Sequence, residues 1–139
     1  ADLFYADLDY VNDKGAVVRK WRSDQYNPEK FNWGWMPPHP TFYAKRELFD
    51  RWGLYDTHYG TAADYELMLR FMYSKKARVF YLNEVIVKMI SGGVSNAGYK
   101  NRIRAWAGDL KAMKKHRIRI PLLSVILKPL RKFSQFLIK

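Results

Sequence analysis

The sequence predicts an α/β fold: a mixed sheet with flanking helices, followed by basic helices at the C-terminal end. Three observations lead there. Runs rich in β-branched and aromatic residues, bounded by turn residues, recur at residues 3–11, 16–21, 78–82 and 85–89. Apolar positions at helical spacing fill residues 61–74 between them. Strands interleaved with helices in a chain of 139 residues are the pattern of a layered α/β domain.

The elements follow in order. Residues 3–11 (LFYADLDYV) read as a strand, Asn12-Asp13-Lys14-Gly15 as a turn, and 16–21 as the returning strand of a hairpin. Residues 23–40 are loop-like, with Asn27-Pro28, Gly34, Pro37, Pro38 and Pro40. A short strand is expected at 41–44, then a helix over 46–52 closed by Gly53. An aromatic loop over 54–60 leads into the 61–74 helix, with Thr61 placed to cap it. After the strands at 78–82 and 85–89 comes the loop Ser91-Gly92-Gly93-Val94-Ser95-Asn96, then helices over 97–116 and 121–139. The expected organisation is one domain over 1–96 and a basic amphipathic helical tail over 97–139.

Charge supports that division. Residues 1–99 hold 13 Lys/Arg against 12 Asp/Glu, a net of +1, whereas 100–139 hold 12 Lys/Arg against Asp109 alone, a net of +11. The basic character therefore belongs to the tail. On a helical wheel of 122–139, Ser124, Lys128, Arg131, Lys132, Gln135 and Lys139 share a narrow stripe, and Leu, Ile and Phe fill the rest. Such a helix suits an anionic membrane surface, or packs on other protein with its lysines in water. No nucleic-acid-binding motif accompanies the basic segment, and nucleic acid is not an expected partner. The absence of cysteine excludes disulfides and thiolate metal sites. No run of about 18 apolar residues exists to span a bilayer. No Gly-rich strand–turn–helix unit for a nucleotide is present.

Three segments, in order, resemble the inverting family 2 glycosyltransferases. They are Met36-Pro37-Pro38-His39-Pro40-Thr41-Phe42-Tyr43; Gly53-Leu54-Tyr55-Asp56 with Ala62-Ala63-Asp64-Tyr65-Glu66-Leu67-Met68-Leu69-Arg70-Phe71; and Gly92-Gly93-Val94-Ser95-Asn96. The resemblance covers roughly residues 1–100. It implies the acceptor-side half of a GT-A-like fold, transfer from a nucleotide-sugar donor to a hydroxyl of a glycan or lipid-linked acceptor, and a divalent metal (Mg or Mn) in the full-length enzyme. It further implies that the chain is a fragment of a longer enzyme whose nucleotide and metal sites lie mostly upstream, and that the fragment alone is inactive. Surface-glycan or lipid-linked oligosaccharide synthesis, at the cytoplasmic face of the membrane, is the expected setting. A processive-synthase Gln-x-x-Arg-Trp motif is absent. The rival reading is a non-catalytic module binding glycan and anionic membrane.

The same resemblance assigns roles. Inverting transfer needs a carboxylate to take the acceptor proton, and Asp64, in the first turn of the 61–74 helix, matches the family's base. A first-turn Asp also stabilises a helix start through the helix dipole. Glu66 points about 200° away on the helix and is expected to pair with Arg70 at i, i+4. His39 and Trp35 are candidates for the acceptor side, with hydrogen bonding and packing as their structural alternatives. Gly93 and Ser95 are candidates for the donor phosphates, or part of a plain strand-to-helix loop. Asp7-Leu8-Asp9 is an Asp-x-Asp motif whose carboxylates share one side of a strand. They are either metal ligands or an outward polar face.

Overall fold

The fold is built on β1, Leu3–Val11, whose alternating faces are both covered. β4, Val79–Ile90, runs parallel along the whole of β1, from Leu3 opposite Val79 to Val11 opposite Ile90. The other edge of β1 is shared. β2, Val17–Trp21, pairs antiparallel with Leu8 to Val11, and β3, Tyr43–Ala44, pairs antiparallel with Leu3 and Phe4. Between these two short strands, hydroxyls replace a ladder. The Ala6 N–H donates to Thr41 Oγ1 (3.1 Å), and the Ala6 carbonyl accepts from Ser23 Oγ (2.8 Å) and Thr41 Oγ1 (3.1 Å). The result is a mixed α/β architecture with a four-stranded mixed sheet and flanking helices. The structure, a computed structural model, describes residues 1–91 and 99–136.

Local chemistry explains the elements that form as expected. Asn12 Oδ1 accepts from the Lys14 and Ala16 amides, and Gly15 supplies φ 81°, so the β1–β2 turn closes. The α1 helix, Arg46–Trp52, ends at Gly53 (φ 96°), whose N–H returns to the Phe49 carbonyl.

Three elements differ from the sequence reading. The two strands expected at 78–82 and 85–89 are one strand, β4. A bulge carries it past Asn83 and Glu84: Tyr5 faces Tyr81, but Asp7 faces Val85. The helix expected at 61–74 is composite: a 3₁₀ turn Thr57–Ala62, α2 over Ala63–Met68, and a π turn Leu69–Ser74. Thr61 is not its cap. Asp56 caps the 3₁₀ turn by accepting from the His58 amide (2.9 Å), and Ala62 precedes α2 with no side-chain cap.

The third difference concerns the C-terminal helices. The expected boundary at 96/97 lies outside the described residues. Beyond it, α3, Tyr99–Lys115, places Ala112 and Met113 in the core with Phe31, Leu69 and Met72, and Ile118 joins them. Gly108 permits the approach, because a Cβ there would lie 2.9 Å from both Ala62 Cβ and the Tyr59 carbonyl oxygen. α4, Pro121–Leu130, then folds back over the Pro28–Trp33 turn, and the 3₁₀ turn Arg131–Phe136 packs against β2. Ser124 Oγ donates to the Asn32 carbonyl, and Lys128 Nζ reaches Asp109 Oδ2 at 2.7 Å and lies 4.2 Å from the Tyr65 ring centre.

Part of the polar stripe of the wheel therefore faces inward: Ser124 and Gln135 are buried and Lys128 is half-buried, while Arg131 and Lys132 stay exposed. Leu122, Ile126, Leu130, Phe133 and Phe136 are each more than half exposed. A wheel separates the faces but does not say which one finds partners. Here the Asn32 carbonyl, Asp109 and Tyr65 bind the polar one.

Gly34 fixes this docking. At φ 81°, its missing Cβ would fall 2.5 Å from the Lys128 backbone nitrogen. Gly34→Ala is expected to destabilise the chain by about 3 kcal/mol, the upper end of overpacking costs. Denaturant melts check this, and hydrogen exchange should show the largest protection loss in α4.

Candidate active site

His39 and Asp64 meet although the sequence separates them. Buried Pro37 and Pro38 lead into a 3₁₀ turn, His39–Thr41, and Thr41 is pinned to Ala6 of β1. This holds His39 over α2, whose second residue is Asp64. His39 Nε2 lies 3.3 Å from Asp64 Oδ2, with the side chains 47% and 38% exposed, so the pair is open to a ligand. Asp64 Oδ1 accepts no protein hydrogen bond among the described residues. Tyr55 stands nearby: partial burial, then the Asp64 charge, raises its phenol above the ordinary value. The arrangement supplies one carboxylate oxygen beside an imidazole and one open to a proton, at the positive end of a helix.

Glu66 faces the other way, as its spacing requires. Its carboxylate is fully buried. Oε1 accepts from Arg70 Nη2 at 2.8 Å, while Oε2 lies 2.6 Å from His116 Nε2, and His116 Nδ1 is 2.7 Å from Ser74 Oγ. Arg70 also donates to the Trp52 and Leu54 carbonyls. Burial pushes the Glu66 carboxyl up, but the hydrogen bonds from His116 and Arg70 outweigh it and hold the group below its ordinary value. The Ser74–His116–Glu66 connectivity is that of a hydrolytic triad. The carboxylate, however, is shared with Arg70, and its bonds tie α2, the π turn and the Gly53 loop together, which is structural work.

The Asp-x-Asp motif does not form an outward polar face: both carboxylates are buried. Asp7 Oδ1 accepts from the Ser23 N–H (2.8 Å) and the Tyr81 hydroxyl (2.7 Å), and Asp9 Oδ1 accepts from Arg22 Nη1 (2.8 Å). Burial, then the bond to Asp7, pushes the Tyr81 phenol up to about 12, so Tyr81 remains the donor. Among the described residues no three His, Asp or Glu gather as a metal would require. As placed, Asp7 and Asp9 do not fit a divalent cation; they hold the Ser23 and Arg22 turn to β1.

Trp35 is a core residue rather than an open stacking platform. Its Nε1 donates to the Ser23 carbonyl (3.0 Å), and its ring packs edge-on against Tyr5 and Phe31. Trp33 beside it is half exposed. Gly93 and Ser95 lie outside the described residues. Sequence reading missed His116 and the pairing of His39 with Asp64, since neither leaves a local signal. No helix among the described residues is long and apolar enough to cross a membrane. Comparison of the chain with protein-family profiles, curated proteins and solved structures returned no match.

Proposed function

We propose that the chain is the acceptor-side part of an inverting, nucleotide-sugar-dependent glycosyltransferase of GT-A-like fold, with Asp64 as general base. The observation that carries this reading is the meeting of Asp64 and His39 on an open face, in the two segments that resemble the family. In the reaction, an acceptor hydroxyl gives its proton to Asp64 Oδ1 as its oxygen attacks the anomeric carbon. The bond to the nucleoside diphosphate breaks on the opposite face. His39, with Nε2 3.3 Å from Oδ2, is placed to orient the acceptor. The resemblance assigns a divalent cation to the full-length enzyme; no step here is routed through it.

Peripheral attachment to a membrane is part of the proposal. Leu122, Ile126, Leu130, Phe133 and Phe136 present an apolar ridge outward, beside a segment of strong positive charge. That combination suits an anionic bilayer interface. The test of the reaction is incubation of the full-length enzyme with a panel of nucleotide-sugars and glycan acceptors, reading the anomeric configuration of the product by NMR. Inverted configuration is expected; a retained one rules the mechanism out.

A further inference from the structure

A cleft of about 490 Å³ opens between β2 and the Arg131–Phe136 turn. Its walls carry Arg19, Arg22, Lys128, Arg131 and Lys132, five cations, with Tyr10 and Trp21 among its aromatic residues. Two of the cations are neutralised: Arg22 by Asp9 at 2.8 Å and Lys128 by Asp109 at 2.7 Å. Among the described residues, Arg19, Arg131 and Lys132 have no carboxylate within 4.0 Å. Arg19 is held in place, its Nε donating to Gln135 and its guanidinium stacked 4.4 Å from the Tyr10 ring centre.

We infer that this cleft binds a ligand bearing two closely spaced phosphoryl groups, held by Arg19, Arg131 and Lys132. Like charges converge on one concavity without counter-charge only at a cost, which an anion relieves. Desolvation, then the Lys128 and Arg19 cations, already holds the Lys132 ammonium below its ordinary value. Desolvation alone does the same to the Arg131 guanidinium. Guanidinium forks match phosphate oxygens in pairs, and an ammonium adds a mobile point charge. The inference is independent of the reaction proposed at Asp64. Diphosphate chemistry has two sources, a soluble phosphate ester or a lipid headgroup, and the experiment separates them.

The chain is titrated with inorganic pyrophosphate by calorimetry, beside Lys132→Gln, Arg19→Gln and, on the exposed face of α3, Arg104→Gln. One saturable site is expected, weakened at least tenfold by Lys132→Gln and by Arg19→Gln and unchanged by Arg104→Gln. Lys132 makes no hydrogen bond among the described residues, so its variant keeps the test separate from the loss of the Arg19 contacts to Gln135 and Tyr10 in Arg19→Gln; circular dichroism confirms the fold of each. A second arm measures sedimentation with phosphatidylcholine vesicles containing diacylglycerol pyrophosphate. Displacement by pyrophosphate in a Lys132-dependent manner assigns the source to a lipid headgroup, and pyrophosphate binding that vesicles leave untouched assigns it to a soluble ester. Absence of saturable pyrophosphate binding, or binding indifferent to Lys132→Gln, overturns the inference.

Discussion

Glu66→Ala is expected to lower the stability of the chain by about 3–5 kcal/mol, the cost of removing one partner from a buried ion pair. Two side chains lose their carboxylate partner at once. Arg70, with a side chain 12% exposed, and His116, at 6%, both lie against the buried Glu66 carboxylate. Arg70 keeps its bonds to the Trp52 and Leu54 carbonyls, so the Gly53 loop holds its shape better than the α2–α3 contact. Glu66→Gln keeps the shape and loses the charge, and a smaller loss is expected. Urea melts of the three proteins at neutral pH give both values.

The same carboxylate sets an acid limit. Its folded-state value lies below the ordinary 4.5, so the unfolded chain takes up the proton first as pH falls. The stabilisation is complete above about 4.5 and is lost as pH drops through the lower, folded-state value. In Glu66→Gln that share of the acid destabilisation should be absent, flattening the stability profile below pH 4.5. A variant profile parallel to the wild type would show that the network does not titrate as described.

The parts of the fold that the sequence disclosed are those set by near neighbours. The β1–β2 turn follows from Asn12 and Gly15, the end of α1 from Gly53, and the Glu66–Arg70 pair from helical spacing. Contacts between distant segments were not legible. Asp7 and Asp9 look like ligands or a solvated face in isolation, because the donors that claim them, Tyr81, Ser23 and Arg22, arrive from other elements. The break expected at Asn83-Glu84 disappears because β1 offers a continuous edge that a bulged strand can follow. The composite helix keeps Asp64 in its first turn, as expected, but Gly60 (φ 55°, ψ −127°) and the Asp56 cap set its approach, not Thr61. At the candidate site, Asp64 was visible through resemblance alone. That His39 would stand beside it depended on Thr41 anchoring its turn to Ala6, a contact no local pattern encodes.

The largest functional effect is expected at Asp64. Asparagine preserves the size of the side chain beside His39, but it cannot take a proton from a hydroxyl. Positioned general bases contribute about a hundredfold to ten-thousandfold in rate, so Asp64→Asn should lose at least about a hundredfold in kcat with little change in acceptor KM. His39→Gln, which removes a positioning group and leaves the base, should fall between the variant and the wild type. The decisive measurement is the rate of sugar transfer by the full-length enzyme, wild type beside Asp64→Asn, on the best donor and acceptor of the panel. The account predicts a loss of about a hundredfold or more in a variant that melts like the wild type. A variant of near-normal rate would make Asp64 a helix-start residue and contradict its assignment as the base.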